Sequence, residues 1–127
     1  MRRQYDLEVK ADPAEVRRAR VRTSRQLERW GLHELVDVAG LLVTEIVGNA
    51  VLHTGAPARL RLVSDGQLHV EVFDRSPHLP ALREADPEEP GGWGLELVDA
   101  LASEWGWTPQ EDGKSVWCLL PVPTTAS

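Results

Sequence analysis

The segment TEIVGNAVLHTG, residues 44–55, carries polar side chains at regular intervals in an otherwise apolar stretch. Because an α-helix completes one turn in about 3.6 residues, Glu45, Asn49 and His53 are expected to form a single ridge along a helix. A carboxylate and an amide are costly to bury on an apolar helix unless something satisfies them. The ridge is therefore the first place in this sequence to look for a functional site.

The apolar residues around the ridge predict a nearly buried helix over residues 34–53, which Gly55 ends. A preceding helix is predicted to begin at Pro13, with Asp12 as its N-cap, and to run to about Trp30 with one apolar stripe. Both helices have a face that must be covered by another element.

Strands are predicted on both sides of these helices. Three regions alternate apolar and polar residues: 5–10, the hairpin 58–74 that turns at Asp65-Gly66, and the hairpin 107–121 that turns near Asp112-Gly113. A third helix is predicted over residues 94–105. This order predicts an α/β fold of the α+β two-layer sandwich type, with a mainly antiparallel, mixed sheet and three helices on one face.

Composition places the chain among ordinary globular proteins. Its 127 residues suit one domain, expected over 1–121, with 122–127 as a flexible tail. No run of about 18 apolar residues and no signal-peptide pattern is present, so no membrane span and a cytoplasmic location are expected. The single cysteine, Cys118, lies in an apolar run and is predicted to be a buried small hydrophobe.

Basic residues concentrate near the start of the chain, although its net charge is −6. Six arginines fall between Arg17 and Arg29. They form either a solvated helix face or a docking surface for an acidic protein partner. Direct nucleic-acid binding is not expected, because the chain is acidic overall and the cluster lacks interleaved aromatic residues.

Two further polar motifs interrupt the apolar elements. FDRSP, residues 73–77, ends a predicted strand on Asp74, and GGWGL, residues 91–95, opens the third helix. Taken singly, each has a structural explanation, such as a turn residue or ordinary loop glycines, and His53 could satisfy carbonyls at a helix end. Taken with the ridge they predict a nucleotide site, because a glycine-rich turn before a helix lets backbone N–H groups approach phosphates.

Two common nucleotide motifs are excluded. The tripeptide GKS at 113–115 is no P-loop, because Thr108 stands where that motif needs a glycine. GGWGL lacks the G-x-G-x-x-G spacing of dinucleotide-binding domains.

The order of motifs, E-x-x-x-N, D-x-S-P, G-G-x-G-L and then G-K-S before a last strand, resembles the Bergerat-fold (GHKL) ATPases. These include gyrase, heat-shock chaperone ATPases, histidine kinases and MutL. The phrases TEIVGNAVLH and VDALASEW are most similar to small anti-sigma-factor serine/threonine kinases and their stand-alone actinobacterial relatives. The resemblance covers residues 12–121 and implies a Bergerat fold with ATP and Mg²⁺ as cofactors.

The resemblance implies roles for the ridge. Asn49 would coordinate Mg²⁺ bound to the ATP phosphates, since oxygen ligands suit that ion. Glu45 would be catalytic, orienting or deprotonating the attacking hydroxyl. His53 would lie near the phosphate or ribose edge.

The resemblance also implies how the base and phosphates are held. Asp74 would accept a hydrogen bond from the adenine amino group, with Ser115 helping to hold the base, usually through water. Ser76, which is also predicted to bind ATP, stands where the family often has glycine. The glycine motif, which would hinge the lid over the phosphates, supplies the remaining predicted ATP-binding residues: Gly91, Gly92, Gly94 and Leu95.

Three functions follow from these features. The first is a regulator that transfers the ATP γ-phosphate to a serine or threonine of an antagonist protein, sequesters a sigma factor, or does both. The second is a non-catalytic ATP-binding interaction module, and the third is the catalytic domain of a split histidine kinase. Protein partners are expected in each, and a homodimer is one expected assembly.

Overall fold

In the computed structural model, residues 2–75 and 96–123 are described, except for the side chain of His53. The described elements alternate in blocks of helices and strands, as predicted. In chain order they are β1 (Arg3–Val9), α1 (Pro13–Arg29), a 3-10 turn (His33–Leu35), α2 (Val36–Thr54), β2 (Ala58–Ser64), β3 (Gln67–Asp74), α3 (Glu96–Leu101), β4 (Glu104–Gln110) and β5 (Gly113–Pro121).

The five described strands form one sheet in the order β1-β2-β3-β5-β4, and every neighbouring pair is antiparallel. Successive side chains of a strand point to opposite faces. One face of the sheet is buried beneath the helices and is lined by apolar side chains of the three central strands: Leu60, Leu62, Leu68, Val70, Val72, Val116, Cys118 and Leu120. The predicted α+β sandwich with a mainly antiparallel sheet is confirmed.

Local signals set the start of α1. Asp12 caps the helix by accepting a hydrogen bond from the backbone N–H of Ala14 at 2.8 Å, and Pro13 follows at the first helical position. Of the five residues predicted to form the stripe, Trp30 is partly buried and the other four are buried: Val16, Ala19, Thr23 and Leu27.

The predicted third helix is too long in its C-terminal part. Among the described residues, α3 ends at Leu101, and Trp105 lies in β4 opposite Cys118. Trp105 packs against the core and donates a hydrogen bond from its indole N–H to Asp99 of α3 at 2.8 Å. Pairing with β5 and aromatic packing on the sheet therefore override the helical period.

Helix α2 lies in the core, and its end fixes where the candidate site is built. By length and apolarity alone His33–Leu52 could cross a membrane, but most of this segment is buried inside the fold. Gly55, with φ of 68°, ends α2 as predicted. Only residues 55–57 then separate α2 from β2, and Arg59 at the start of β2 pairs with Phe73 near the end of β3. The C-terminal end of α2 and the C-terminal end of β3 therefore lie at the same end of the sheet.

Candidate functional site

The polar ridge of α2 is placed as the sequence predicts. Glu45 is only 5% exposed and Asn49, one turn later, is partly buried. The backbone of His53 continues the same helix. Because these residues are four apart in one helix, they share one face, and the carboxylate of Glu45 is held in the interior rather than at an exposed helix edge.

Asp74 is the last residue of β3 and is 2% exposed. It follows Leu68, Val70 and Val72 in the alternation of the strand, so it points to the face of the sheet that the helices cover. A turn residue would be exposed, whereas this aspartate is part of the strand and buried.

Lys114 contacts Asp74 directly. The two residues are paired across β3 and β5, and Nζ of Lys114 donates a hydrogen bond to Oδ1 of Asp74 at 2.9 Å. Their side chains are 10% and 3% exposed. Taking an ammonium and a carboxylate out of water is expensive, so a pair this well buried lies here at considerable desolvation cost.

Gly113 allows β5 to begin so close to Asp74. A Cβ atom at this position would lie 2.0 Å from the backbone oxygen of Asp74 and 2.7 Å from the Cα of Arg75. Any larger residue would push the two strands apart, so glycine at 113 sets the approach that brings Lys114 to the carboxylate.

Ser115 lies on the opposite face from Asp74. It pairs with Phe73 on one side and Thr108 on the other, one step out of phase with the inward-facing residues. Its hydroxyl oxygen is buried and has no hydrogen-bond partner among the described residues. The structure therefore brings Lys114, rather than Ser115, to the side chain of Asp74.

Sequence reasoning missed Lys114 although the sequence carries a signal for it. The tripeptide GKS is no P-loop, and the motif on its own assigns no role to its lysine. Val116, Cys118 and Leu120 predict the inward face of the last strand, and extending that alternation backwards places Lys114 on it. A lysine on the inward face of a core strand is unusual enough to mark a site.

The other predicted site residues lie outside the described part of the chain, or have side chains that are not described. These are Ser76, Gly91, Gly92, Gly94 and Leu95, and the side chain of His53. In the described ranges no three His, Cys, Asp or Glu side chains are grouped to hold a metal ion. An Mg²⁺ ion carried by ATP phosphates needs no such group, because phosphates and water supply most of its ligands.

Cys118 is no part of a reactive site. Burial raises the pKa of its thiol to about 12, so the thiol stays protonated and unreactive at neutral pH. The prediction of a buried small hydrophobe is confirmed.

The arginine cluster forms an exposed surface on α1. All six arginines are exposed, and Val21, which lies among them, is 49% exposed. Glu15 neutralises one of them through a 2.9 Å ion pair with Arg18. We call this set the arginine surface: Arg17, Arg18, Arg20, Arg22, Arg25 and Arg29.

Comparisons with known proteins find a relative in sequence and a shared fold. A protein of Streptomyces coelicolor described as uncharacterized is 33% identical over 82 residues, which are 60% of this chain and 78% of that protein. A crystal structure of the RsbU and RsbW domains of Rv1364c from Mycobacterium tuberculosis matches 98% of this chain with a TM-score of 0.70 and 21% identity. The chain spans about a third, 34%, of the length of that structure.

Residues 9–119 match the profile of the histidine kinase-like ATPase domain. The chain belongs to this family, and the resemblance to the GHKL superfamily drawn from its motifs is confirmed.

Proposed function

We propose that this member of the histidine kinase-like ATPase family binds Mg-ATP and transfers the γ-phosphate to a serine or threonine of a protein antagonist, acting as a regulatory kinase. The observation that carries the proposal is the placement of buried Asp74 at the same end of the sheet as the C-terminal end of α2, where the polar ridge ends. Buried carboxylates are rare unless they are paired or functional, and the described residues include two of them, Glu45 and Asp74.

Asp74 would select adenine. Its carboxylate accepts a hydrogen bond from the 6-amino group, which guanine replaces with a carbonyl oxygen. A buried acceptor facing another acceptor loses about 2 kcal/mol or more, which disfavours GTP by more than tenfold.

Asn49 and Glu45 would serve the transfer. The side-chain oxygen of Asn49 helps hold Mg²⁺, whose charge when bound neutralises the phosphate oxygens. Glu45 accepts the proton of the incoming hydroxyl as its oxygen bonds to the γ-phosphorus, while the bond to the β,γ-bridging oxygen breaks and ADP leaves. Glu45 lies one helical turn before Asn49, which supports a shared role for the two side chains at the phosphates.

The arginine surface would steer acidic partners to the chain. Exposed charges of one sign raise association rates with a complementary partner. We propose a cytoplasmic regulator whose partners are a sigma factor, a phosphorylatable antagonist, or both, with a homodimer as one assembly. The fold shared with a structure that contains an RsbW domain supports this assignment.

A second candidate function is an ATP-binding module that does not transfer phosphate. Residues 77–92 carry four acidic residues and one arginine, so this segment offers little charge to neutralise a γ-phosphate. In that case ATP would change partner affinity by shifting a conformational equilibrium.

Calorimetry with Mg-ATP and Mg-GTP tests the nucleotide site. We expect the wild type to bind ATP and to discriminate against GTP, and Asp74→Asn to lose at least tenfold in ATP affinity, because the amide has one acceptor oxygen, which Lys114 also requires, and its other end is an N–H donor. The matched control is Asp6→Asn, an exposed aspartate of β1, which should bind as the wild type does. ATP binding by Asp74→Asn at wild-type affinity would refute the role of Asp74.

Transfer of label from [γ-32P]ATP to a protein that copurifies with the tagged chain separates the two functions. Glu45→Gln should bind ATP but lose transfer at least 100-fold, whereas Glu34→Gln, an exposed glutamate, should retain it. ATP binding without any labelled serine or threonine would favour the non-catalytic module.

A further inference from the structure

The ammonium group of Lys114 has more donors than the described residues use. A lysine offers three N–H donors, and in the described part of the chain Asp74 is its one hydrogen-bond partner. The side chain is 90% buried, since only 10% of it is exposed. Leaving donors of a buried cation unused is costly, so this geometry points to a further acceptor that completes it.

The chemistry of adenine supplies such an acceptor. The Watson–Crick edge of adenine presents the 6-amino donor beside the N1 acceptor, and the Asp74–Lys114 pair presents an acceptor beside a donor. A carboxylate carries about four lone-pair positions on two oxygens, so the bond from Lys114 does not exhaust the capacity of Asp74.

We propose that Lys114 reads the base together with Asp74, its ammonium donating a hydrogen bond to N1 of adenine while Asp74 accepts from the 6-amino group. The inference rests on the proposed function, because it assumes that Asp74 faces the adenine amino group. Lys114 is then a specificity-determining residue, held in place by the 2.9 Å bond to Asp74 and by the close start of β5 at Gly113.

The pair also rejects guanine at two positions. Guanine presents the O6 acceptor to Asp74 and the N1–H donor to Lys114, so both contacts become repulsive. Discrimination built from a misplaced acceptor and a misplaced donor exceeds what either gives alone.

The test compares ATP with 1-deaza-ATP, in which a C–H group replaces N1. Calorimetry is run on the wild type, on Lys114→Met and on Lys10→Met, the last a matched control because Lys10 is the only other lysine and is exposed. Circular dichroism confirms that each variant is folded before titration.

We expect the wild type and Lys10→Met to bind ATP at least about tenfold more tightly than 1-deaza-ATP, which is the loss of a hydrogen bond to a charged donor. Lys114→Met should bind the two nucleotides with equal affinity. Equal affinities in the wild type would overturn the inference, and this measurement needs no variant. The inference would also be overturned if Lys114→Met had the same ratio of ATP affinity to 1-deaza-ATP affinity as the wild type.

The outcomes separate this inference from the proposed function. If the wild type binds neither nucleotide, the proposed function fails and the inference fails with it. If the wild type binds both nucleotides and its ratio of ATP affinity to 1-deaza-ATP affinity equals that of Lys114→Met, only the inference fails. Tighter ATP binding by Lys114→Met at an unchanged ratio would mean that Lys114 competes with adenine for Asp74, which also overturns it.

Discussion

Two acid–base pairs join strands of the same sheet with similar geometry in opposite surroundings. Lys114 and Asp74 are 2.9 Å apart with side chains 10% and 3% exposed, whereas Arg61 and Asp6 are 2.8 Å apart with side chains 41% and 42% exposed. Water screens the exposed pair, which costs little to form and contributes little. The buried pair has lost the hydration of both charges. The distance between the charged atoms therefore does not show how much each pair contributes to stability. The buried pair, which has the higher desolvation cost, lies at the candidate site.

The largest expected effect comes from breaking the buried pair. Lys114→Met should lower the free energy of unfolding by about 3–5 kcal/mol, because it leaves the Asp74 carboxylate buried without its ammonium. Arg61→Met should change it by about 1 kcal/mol or less. Urea denaturation of both variants at neutral pH checks the contrast, and similar losses would break the comparison.

A double variant sharpens that result. Asp74→Asn with Lys114→Met removes both charges, so it should be more stable than Lys114→Met alone. If the double variant loses as much as the sum of the single variants, the two side chains do not interact.

The next effect tests the backbone that brings the buried pair together. Gly113→Ala should cost about 3 kcal/mol, because its Cβ would lie 2.0 Å from the backbone oxygen of Asp74. Gly66→Ala is the matched control: its φ of 102° strains alanine, but no atom crowds the new Cβ, so about 1 kcal/mol is expected. Thermal unfolding measures both, and a loss at Gly66 that equals the loss at Gly113 would contradict the account.

The smallest effect concerns the exposed pair and pH. The hydrogen bond from Arg61 lowers the pKa of Asp6 below its ordinary value of 3.8. A carboxylate with a lowered folded pKa stabilises the fold above its unfolded pKa and loses that contribution as pH falls through the folded value. The difference in stability between wild type and Arg61→Met, about 1 kcal/mol at most, should therefore be constant near neutrality, decline as pH falls below 3.8 and vanish below the folded pKa.

That pH experiment has its own internal check. A difference that persists at acid pH would arise from the packing of the arginine stem rather than from its charge. Raising the salt concentration at neutral pH should shrink the difference in the same way if it is electrostatic.

Features set by local chemistry were predictable from the sequence. Asp12 and Pro13 specify the start of α1, Gly55 ends α2, and Asp65-Gly66 turns the first hairpin. Each depends on a cap, a fixed φ or a positive φ that neighbouring residues determine. The ridge of α2 was predictable for the same reason, since a helical period needs only the sequence.

Features set by long-range pairing were not predictable in the same way. Trp105 continues the helical period of the third helix, but its partner Cys118 lies in another strand and draws it into the sheet. Lys114 belongs with Asp74 only after β5 has paired with β3. The D-x-S-P motif identifies Asp74 as the candidate residue, whereas the register between β3 and β5 determines that Lys114 contacts it.

The connection between α2 and β2 has a mechanical consequence. Residues 55–57 can span only about 10 Å when fully extended, so the end of the helix and the edge of the nearby strand are tethered at nearly fixed length. Because the connection has little spare length, a displacement of the C-terminal end of α2 away from the sheet also displaces the start of β2. The short connection therefore limits how far the C-terminal end of α2, which carries the polar ridge, can move relative to the sheet that carries Asp74.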